Sequence, residues 1–251
     1  MGSRNLSWAE AGSGGGEGPP LLLIHGAASS HLVWGAQLRS LSVRGRVLAL
    51  DLPGHGRSDP PGEATIEGYR EACLGFLEAL GMERVVLVGH SMGGAIALSL
   101  ALARPDLVAS LVLVATGARL RVAPAILSGL LADREGTARI VVANSLSARA
   151  GEELRQRSLA EFLSCPAPVA AADFAACDAF DVSERLSGLP VPTLVVSGSE
   201  DLLTPARRTD FLVAAIPGAR AARIEGAGHS VMIERPEVVD RVVLEFLGGG
   251  P

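Results

Sequence analysis

Arg84 to Gly94 reads R-V-V-L-V-G-H-S-M-G-G, and it constrains the chain more than any other stretch. Val85 to Val88 is a β-branched and leucine run, the composition of a strand buried on both faces. Ala95 to Ala103 is rich in alanine and leucine and has strong helix propensity. Between them, Gly89-His90-Ser91-Met92-Gly93 sets a serine between two glycines. A turn sharp enough to push a serine hydroxyl clear of a sheet strains the backbone at that residue. Its neighbours two before and two after must then lack a Cβ. Strand, G-x-S-x-G turn and helix in succession make a nucleophile elbow. The competing reading is an ordinary glycine-rich turn of a dinucleotide or phosphate site, but no G-x-G-x-x-G or G-K-[ST] accompanies it.

A chain of 251 residues has room for one large α/β domain with an insertion. Hydrophobic residues make up 48% and charged residues 20%, which suits a sheet covered on both faces. Aromatics are only 4%, so cores and pockets must be lined mainly by Ala, Val, Leu and Ile. The net charge is −5, all 22 basic residues are arginine, and no cluster of them forms a basic stripe, so nucleic acid is not an expected partner. The lack of lysine excludes a lysine nucleophile or Schiff base. Cys73, Cys165 and Cys177 are odd in number and irregular in spacing, which speaks against a disulfide framework or a zinc site and for free thiols in a reducing cytoplasm. Met1-Gly2-Ser3-Arg4 leads into polar sequence without an apolar core, so no secretory signal is read there. The longest apolar run, Ala95 to Ala115, is broken by Arg104-Pro105-Asp106 and is not expected to span a membrane.

In chain order, Leu6–Ala11 is a strand candidate, followed by a Gly-, Ser- and Pro-rich loop over 12–20. Leu21–Ile24 is a buried strand that ends in His25-Gly26-Ala27-Ala28-Ser29-Ser30. A loop of small residues there lets backbone N–H groups point into a cleft, as stabilising the oxyanion of an acyl-transfer reaction requires. The amides of Met92 and Ala27 are the expected donors. A simple tight turn is the alternative for this loop. Val33–Leu41 is an amphipathic helix candidate with Trp34 and Leu38 on one face, and Arg46–Leu50 a strand. Helices are expected over 64–80 and 236–247, and strands over 107–115, 192–197 and 221–224. From Ala118 to about Leu189 the chain reads as helical, rich in Ala and Arg, with a break at Pro166-Ala167-Pro168.

H-G at 25–26, D-L-P-G-H-G-R-S-D at 51–59 and G-H-S-M-G-G at 89–94 resemble the α/β-hydrolase superfamily, and within it the lid-bearing esterase, lactonase and C–C hydrolase branch. The resemblance covers nearly the whole chain and implies a mostly parallel central sheet flanked by helices. It implies a core formed by 1–117 and 190–251, with a helical lid over 118–189 inserted after the sixth strand. A lid narrows access, excludes water and selects substrates. Seven arginines lie between Arg119 and Arg157; most read as solvated, with Arg119 or Arg121 a candidate clamp for a substrate carboxylate. In the family the 51–59 segment is a structural loop, so Asp51 and His55 are read as structural.

A serine hydroxyl needs a positioned base, and the base needs an orienting acid. Of the five histidines, His25, His55 and His90 sit in motifs that explain them, and His31 is expected to face solvent or the lid. His229, in Gly226-Ala227-Gly228-His229-Ser230, matches the family's G-x-G-H segment and is the expected base. The G-x-x-D placement within Ser197-Gly198-Ser199-Glu200-Asp201 matches the family's acid loop and selects Asp201 over Glu200. The alternative is that Asp201 caps the helix starting near Pro205. Ser91, Asp201 and His229 follow in the order expected of this fold. No cofactor and no metal are expected. The resemblance implies a small-molecule ester or lactone as substrate, with short to medium acyl chains favoured. Enol-lactone hydrolysis and perhydrolysis use the same residues. C–C cleavage is disfavoured because Ala-Ala-Ser-Ser follows His25-Gly26 in place of a G-x-G-P-G type of loop. A ligand-binding receptor that keeps the triad is the non-enzymatic alternative.

Overall fold

The computed structural model describes residues 4–13, 16 and 18–249. Met1–Ser3 of the expected N-terminal stretch, and residues 14, 15 and 17 of the Gly-rich loop, lie outside the described residues.

Among the described residues, seven strands form one sheet: β1 (Trp8–Ala11), β2 (Leu21–Ile24), β3 (Val47–Leu50), β4 (Val85–His90), β5 (Val108–Val114), β6 (Thr193–Gly198) and β7 (Arg220–Ile224). Their spatial order is β1-β3-β2-β4-β5-β6-β7, with β1 antiparallel to β3 and every other pairing parallel. Every residue of β2, β3, β4 and β6 is buried, which explains why their sequences carry no polar alternation. Among the described residues, ten α-helices accompany the sheet: α1 (Gly35–Leu41), α2 (Ile66–Ala79), α3 (Met92–Ala103), α4 (Pro124–Ala132), α5 (Arg134–Ser145), α6 (Glu152–Ser164), α7 (Ala167–Ala179), α8 (Ala206–Ala215), α9 (Val231–Glu234) and α10 (Pro236–Gly248). The helix expected over 33–41 is split: a short 3-10 turn, His31–Trp34, precedes α1, and Trp34 and Leu38 are both buried as read.

Successive strand residues point to opposite faces, so each face has its own core. Leu22, Leu87 and Leu113 pack with α2 and α3 on one side. Leu23, Val88 and Val112 pack with α1 and α10 on the other. The segment α4–α7 has a third, smaller core around Leu130, Val142 and Phe162, which Ala28 joins from the loop after β2. The inserted segment was expected after a sixth strand. It follows β5, the fifth, because only five strands precede it among the described residues. Parallel strands bring the ends of β2, β4, β6 and β7 to one edge of the sheet, under the inserted helices. Open α/β sheets place their sites at that edge.

Candidate active site

Ser91 sits between β4 and α3 with φ 53° and ψ −115°, a left-handed backbone costing about 1–3 kcal/mol unless its surroundings impose it. They do. The Ser91 amide donates to the Val114 carbonyl at 2.9 Å, and the Ser91 carbonyl accepts from the Thr116 hydroxyl at 2.8 Å. The glycines make the close approach possible: a Cβ on Gly89 would collide with the Gly93 carbonyl, and one on Gly93 with the carbonyls of Ile24 and His25. The requirement read from spacing thus has two causes, one inside the turn and one from β2 beside it.

The loop after β2 runs past this turn. A Cβ on Gly26 would lie 3.3 Å from the Ser91 Cβ, so the loop approaches the serine closely. Ala28 has φ 51°, and its amide donates to Asp173 Oδ2 at 2.9 Å. Among the described residues, the amides of Ala27 and Met92 have no hydrogen-bond acceptor.

His229 follows β7 and Asp201 follows β6. The two loops meet because Gly198 has no side chain: a Cβ there would strike the carbonyls of Ala227 and Gly228. His229 Nδ1 lies 3.0 Å from Asp201 Oδ2. Thr204 joins them, its hydroxyl donating to Asp201 Oδ2 at 2.6 Å while lying 3.2 Å from His229 Nδ1. Asp201 Oδ1 accepts the amides of Leu203 and Thr204 at 2.9 and 2.8 Å, so this carboxylate both orders the turn before α8 and faces the histidine. Burial raises the Asp201 carboxyl. The charge of His229 and the hydrogen bonds from His229 and Thr204 outweigh that and hold it well below the ordinary carboxylate range. Glu200 points elsewhere and accepts the Ala148 amide at 3.1 Å. The sequence marks Thr204 only as a hydroxyl three residues after the candidate acid.

Ser91, His229 and Ala27 line one cavity of about 930 Å³ between the sheet edge and the inserted helices. Its apolar walls include Val141, Phe162 and Phe174, and the exposed Leu32, Ile140 and Leu202 also line it. Arg121, Arg157, Arg207 and Arg208 contribute to the lining as well. Arg119 does not; it pairs with Asp181 at 3.7 Å.

The remaining histidines are held by internal bonds. Burial pushes His25 well below its ordinary value, so its ring is neutral; Nδ1 donates to the Gly26 carbonyl and Nε2 accepts the Leu52 amide. His31, expected at solvent or the lid, has its Nδ1 2.9 Å from Asp51 Oδ1, and Asp51 also accepts the Arg57 amide. His55 is enclosed between the Pro53 carbonyl and Asp173. His55, Cys165 and Asp173 bring one metal-ligating atom each to within 4.8 Å of one another. His55 Nε2 and Asp173 Oδ2 are only 2.8 Å apart, the spacing of a hydrogen-bonded pair. Two ligands around zinc stand farther apart than that, each about 2.0–2.2 Å from the metal at a tetrahedral angle.

The α/β-hydrolase family model matches residues 21–242. The chain belongs to the alpha/beta hydrolase family. It is similar to the enol-lactonase of Burkholderia xenovorans LB400, with 28% identity, a TM-score of 0.92, and coverage of 98% of this chain and 97% of that one. The pimeloyl-[acyl-carrier protein] methyl ester esterase of Aeromonas hydrophila subsp. hydrophila is 31% identical over 93% of this chain and 97% of its own length. The polyketide synthase ThaQ of Burkholderia thailandensis is 34% identical over 93% of this chain, which spans only 12% of that protein. The protein is therefore a hydrolase by family. Among the described residues, no helix is long and apolar enough to cross a membrane.

Proposed function

We propose that this hydrolase cleaves carboxylic esters of short to medium acyl chain through an acyl-enzyme on Ser91. The observation that carries this reading is the buried Asp201–His229 pair, 3.0 Å apart, whose His229 lines the same cavity as Ser91. The Ser91 oxygen attacks the ester carbonyl carbon while His229 Nε2 takes the hydroxyl proton. Asp201 accepts the Nδ1 hydrogen, which fixes the ring's tautomer and stabilises the imidazolium. The carbonyl electron pair moves onto oxygen, where the amides of Ala27 and Met92 stabilise it. Its return expels the alcohol, protonated by His229. Water then repeats the sequence on the acyl-enzyme, releasing the acid and restoring Ser91.

In this reading residues 118–189 are a lid over a core of 1–117 and 190–251, and the apolar cavity wall they supply receives the acyl chain. Three free, buried cysteines fit a cytoplasmic location. Enol-lactone hydrolysis is the second reading, favoured by the likeness to the enol-lactonase over nearly the full length of both chains. It uses the same atoms, with the leaving oxygen tethered to the acyl group.

The test is turnover of p-nitrophenyl esters from acetate to palmitate, with Ser91→Ala in parallel. Multiple turnover that peaks at short or medium chains and vanishes in Ser91→Ala supports the esterase. No turnover at any length sinks it and moves lactones to the front.

A further inference from the structure

The steps above leave one buried carboxylate without a task. Asp173, on α7 of the inserted segment, is 0% exposed and accepts hydrogen bonds from three separate parts of the chain. The Ala28 amide reaches Oδ2 at 2.9 Å, His55 Nε2 reaches Oδ2 at 2.8 Å, and the Tyr69 hydroxyl reaches Oδ1 at 2.5 Å. His55 Nδ1 lies 3.0 Å from the Pro53 carbonyl, which can only accept, so Nδ1 carries a hydrogen. With the Ala28 amide already donating to Oδ2, the proton between that oxygen and His55 belongs on Nε2. The pair is then a buried imidazolium and carboxylate. Such pairs stabilise a fold poorly relative to apolar groups of the same volume, because desolvation offsets the attraction. Stability alone is a weak reason for this one.

Position is a better reason. Ala28 has a left-handed backbone, φ 51°, which an L-residue adopts only at an energetic cost. It persists where the surroundings impose it, and the bond from its amide to Asp173 is one such constraint. The Ala28 N–H belongs to the peptide that directly follows Ala27. We infer that Asp173 is a positioning residue for the oxyanion site: by holding the Ala28 N–H it fixes the turn that aims the Ala27 amide at the developing oxyanion. The inference rests on the serine-hydrolase reading above. A second inserted helix grips the same loop two residues on, where the Ser30 hydroxyl donates to Glu161 of α6 at 2.5 Å. Seating the inserted helices over the cavity and assembling the oxyanion site are then one event.

Asp173→Ala tests this, with steady-state kinetics on a turned-over p-nitrophenyl ester and binding of phenylboronic acid, whose adduct with a serine mimics the tetrahedral intermediate. The expected result is a kcat lower by about 10- to 100-fold with KM changed by less than about threefold, and boronate affinity weakened in step with kcat. Asp173→Asn retains an oxygen that can face Ala28 and His55, and is expected to restore most of kcat. Tyr69→Phe removes only the Oδ1 bond, so it should lower stability and spare kcat. Should the alanine variant fail to fold, Asp173→Ser leaves a polar group that is too short to reach Ala28, and the same criteria apply. A folded variant with wild-type kcat and boronate affinity overturns the inference. So does a rise in KM alone, or a loss of kcat in Tyr69→Phe as large as in Asp173→Ala. If Ser91→Ala still turns over, the underlying reading has failed. If Ser91→Ala is inert and Asp173→Ala is fully active, only the positioning role has.

Discussion

The rings of His90 and His229 stand 4.8 Å apart, and His90 Nε2 donates to the His229 carbonyl at 3.1 Å. His90 thus supports the backbone of the neighbouring histidine. Its Nδ1 is buried without a partner among the described residues, as a neutral imidazole allows. Burial first, and then the proximity of His229, push His90 down to about 3.

That depression has a pH signature. Below a pH of about 6.5 an unfolded histidine binds a proton that folded His90 refuses, so the unfolded chain holds more protons and stability falls as pH drops toward 3. His25, also lowered by burial, adds to the same limb. Urea midpoints measured from neutral pH down to about 4 should fall steadily, and His90→Gln should flatten part of that slope. An unchanged slope in the variant would show that His90 is protonated in the fold.

The alkaline side is governed by His55. Burial alone lowers it, but its hydrogen bond and charge interaction with Asp173 raise it to about 10. Its stabilisation is fully present below the unfolded value of about 6.5 and is lost as pH rises through about 10. The other titratable groups against it are Tyr69, which burial and Asp173 push far up, Cys165, and the neutral His25. Urea midpoints should therefore decline between neutral pH and about 10, and Asp173→Asn should flatten that decline while lowering stability at neutral pH.

The contributions of Asp201 and of Thr204, which donates to it, are separable. Asp201→Asn is expected to lower kcat by about 10³- to 10⁴-fold, because an amide favours the wrong histidine tautomer. Thr204→Val removes one donor from the Asp201 carboxylate and leaves the two backbone amides in place. A kcat loss of about tenfold is expected, with KM little changed. Equal losses in the two variants would mean that Thr204, rather than Asp201, orients the ring.

How much was legible in the sequence depended on whether each constraint is local. The elbow was fully visible, because strand composition, glycine spacing and helix propensity all lie within one short stretch. The burial of β2 and β4 followed from unbroken apolar runs. The ring pairing of Asp201 with His229 depends on two loops 28 residues apart meeting over Gly198, and only the family resemblance pointed to it. Asp173 left no trace. Its partners Ala28, Tyr69 and His55 are 145, 104 and 118 residues away, and an aspartate within an Ala-rich helix reads as a solvated side chain. The sixth-strand expectation came from the resemblance alone; the strand candidates before Ala118 already number five, matching the five strands that precede the insertion among the described residues.

The cavity's charge bears on which esters it admits. Arg121, Arg157, Arg207 and Arg208 line it, and none pairs with a carboxylate among the described residues. The one acidic residue of the lining, Glu161, is already bonded to Ser30. Burial and the neighbouring Arg207 and Arg119 depress Arg208, and its buried Nε has no acceptor among the described residues, so an incoming anion would relieve both conditions. An ester with a free carboxylate at the far end of its acyl chain should therefore have a KM several-fold to about tenfold below that of a neutral ester of equal length. Because most of these guanidinium groups reach solvent, the preference should shrink in about 0.5 M salt. Arg208→Gln should weaken it further while leaving kcat on the neutral ester close to wild type. If the neutral and anionic esters show the same KM at low salt, the arginines serve solubility and the cavity selects by shape alone.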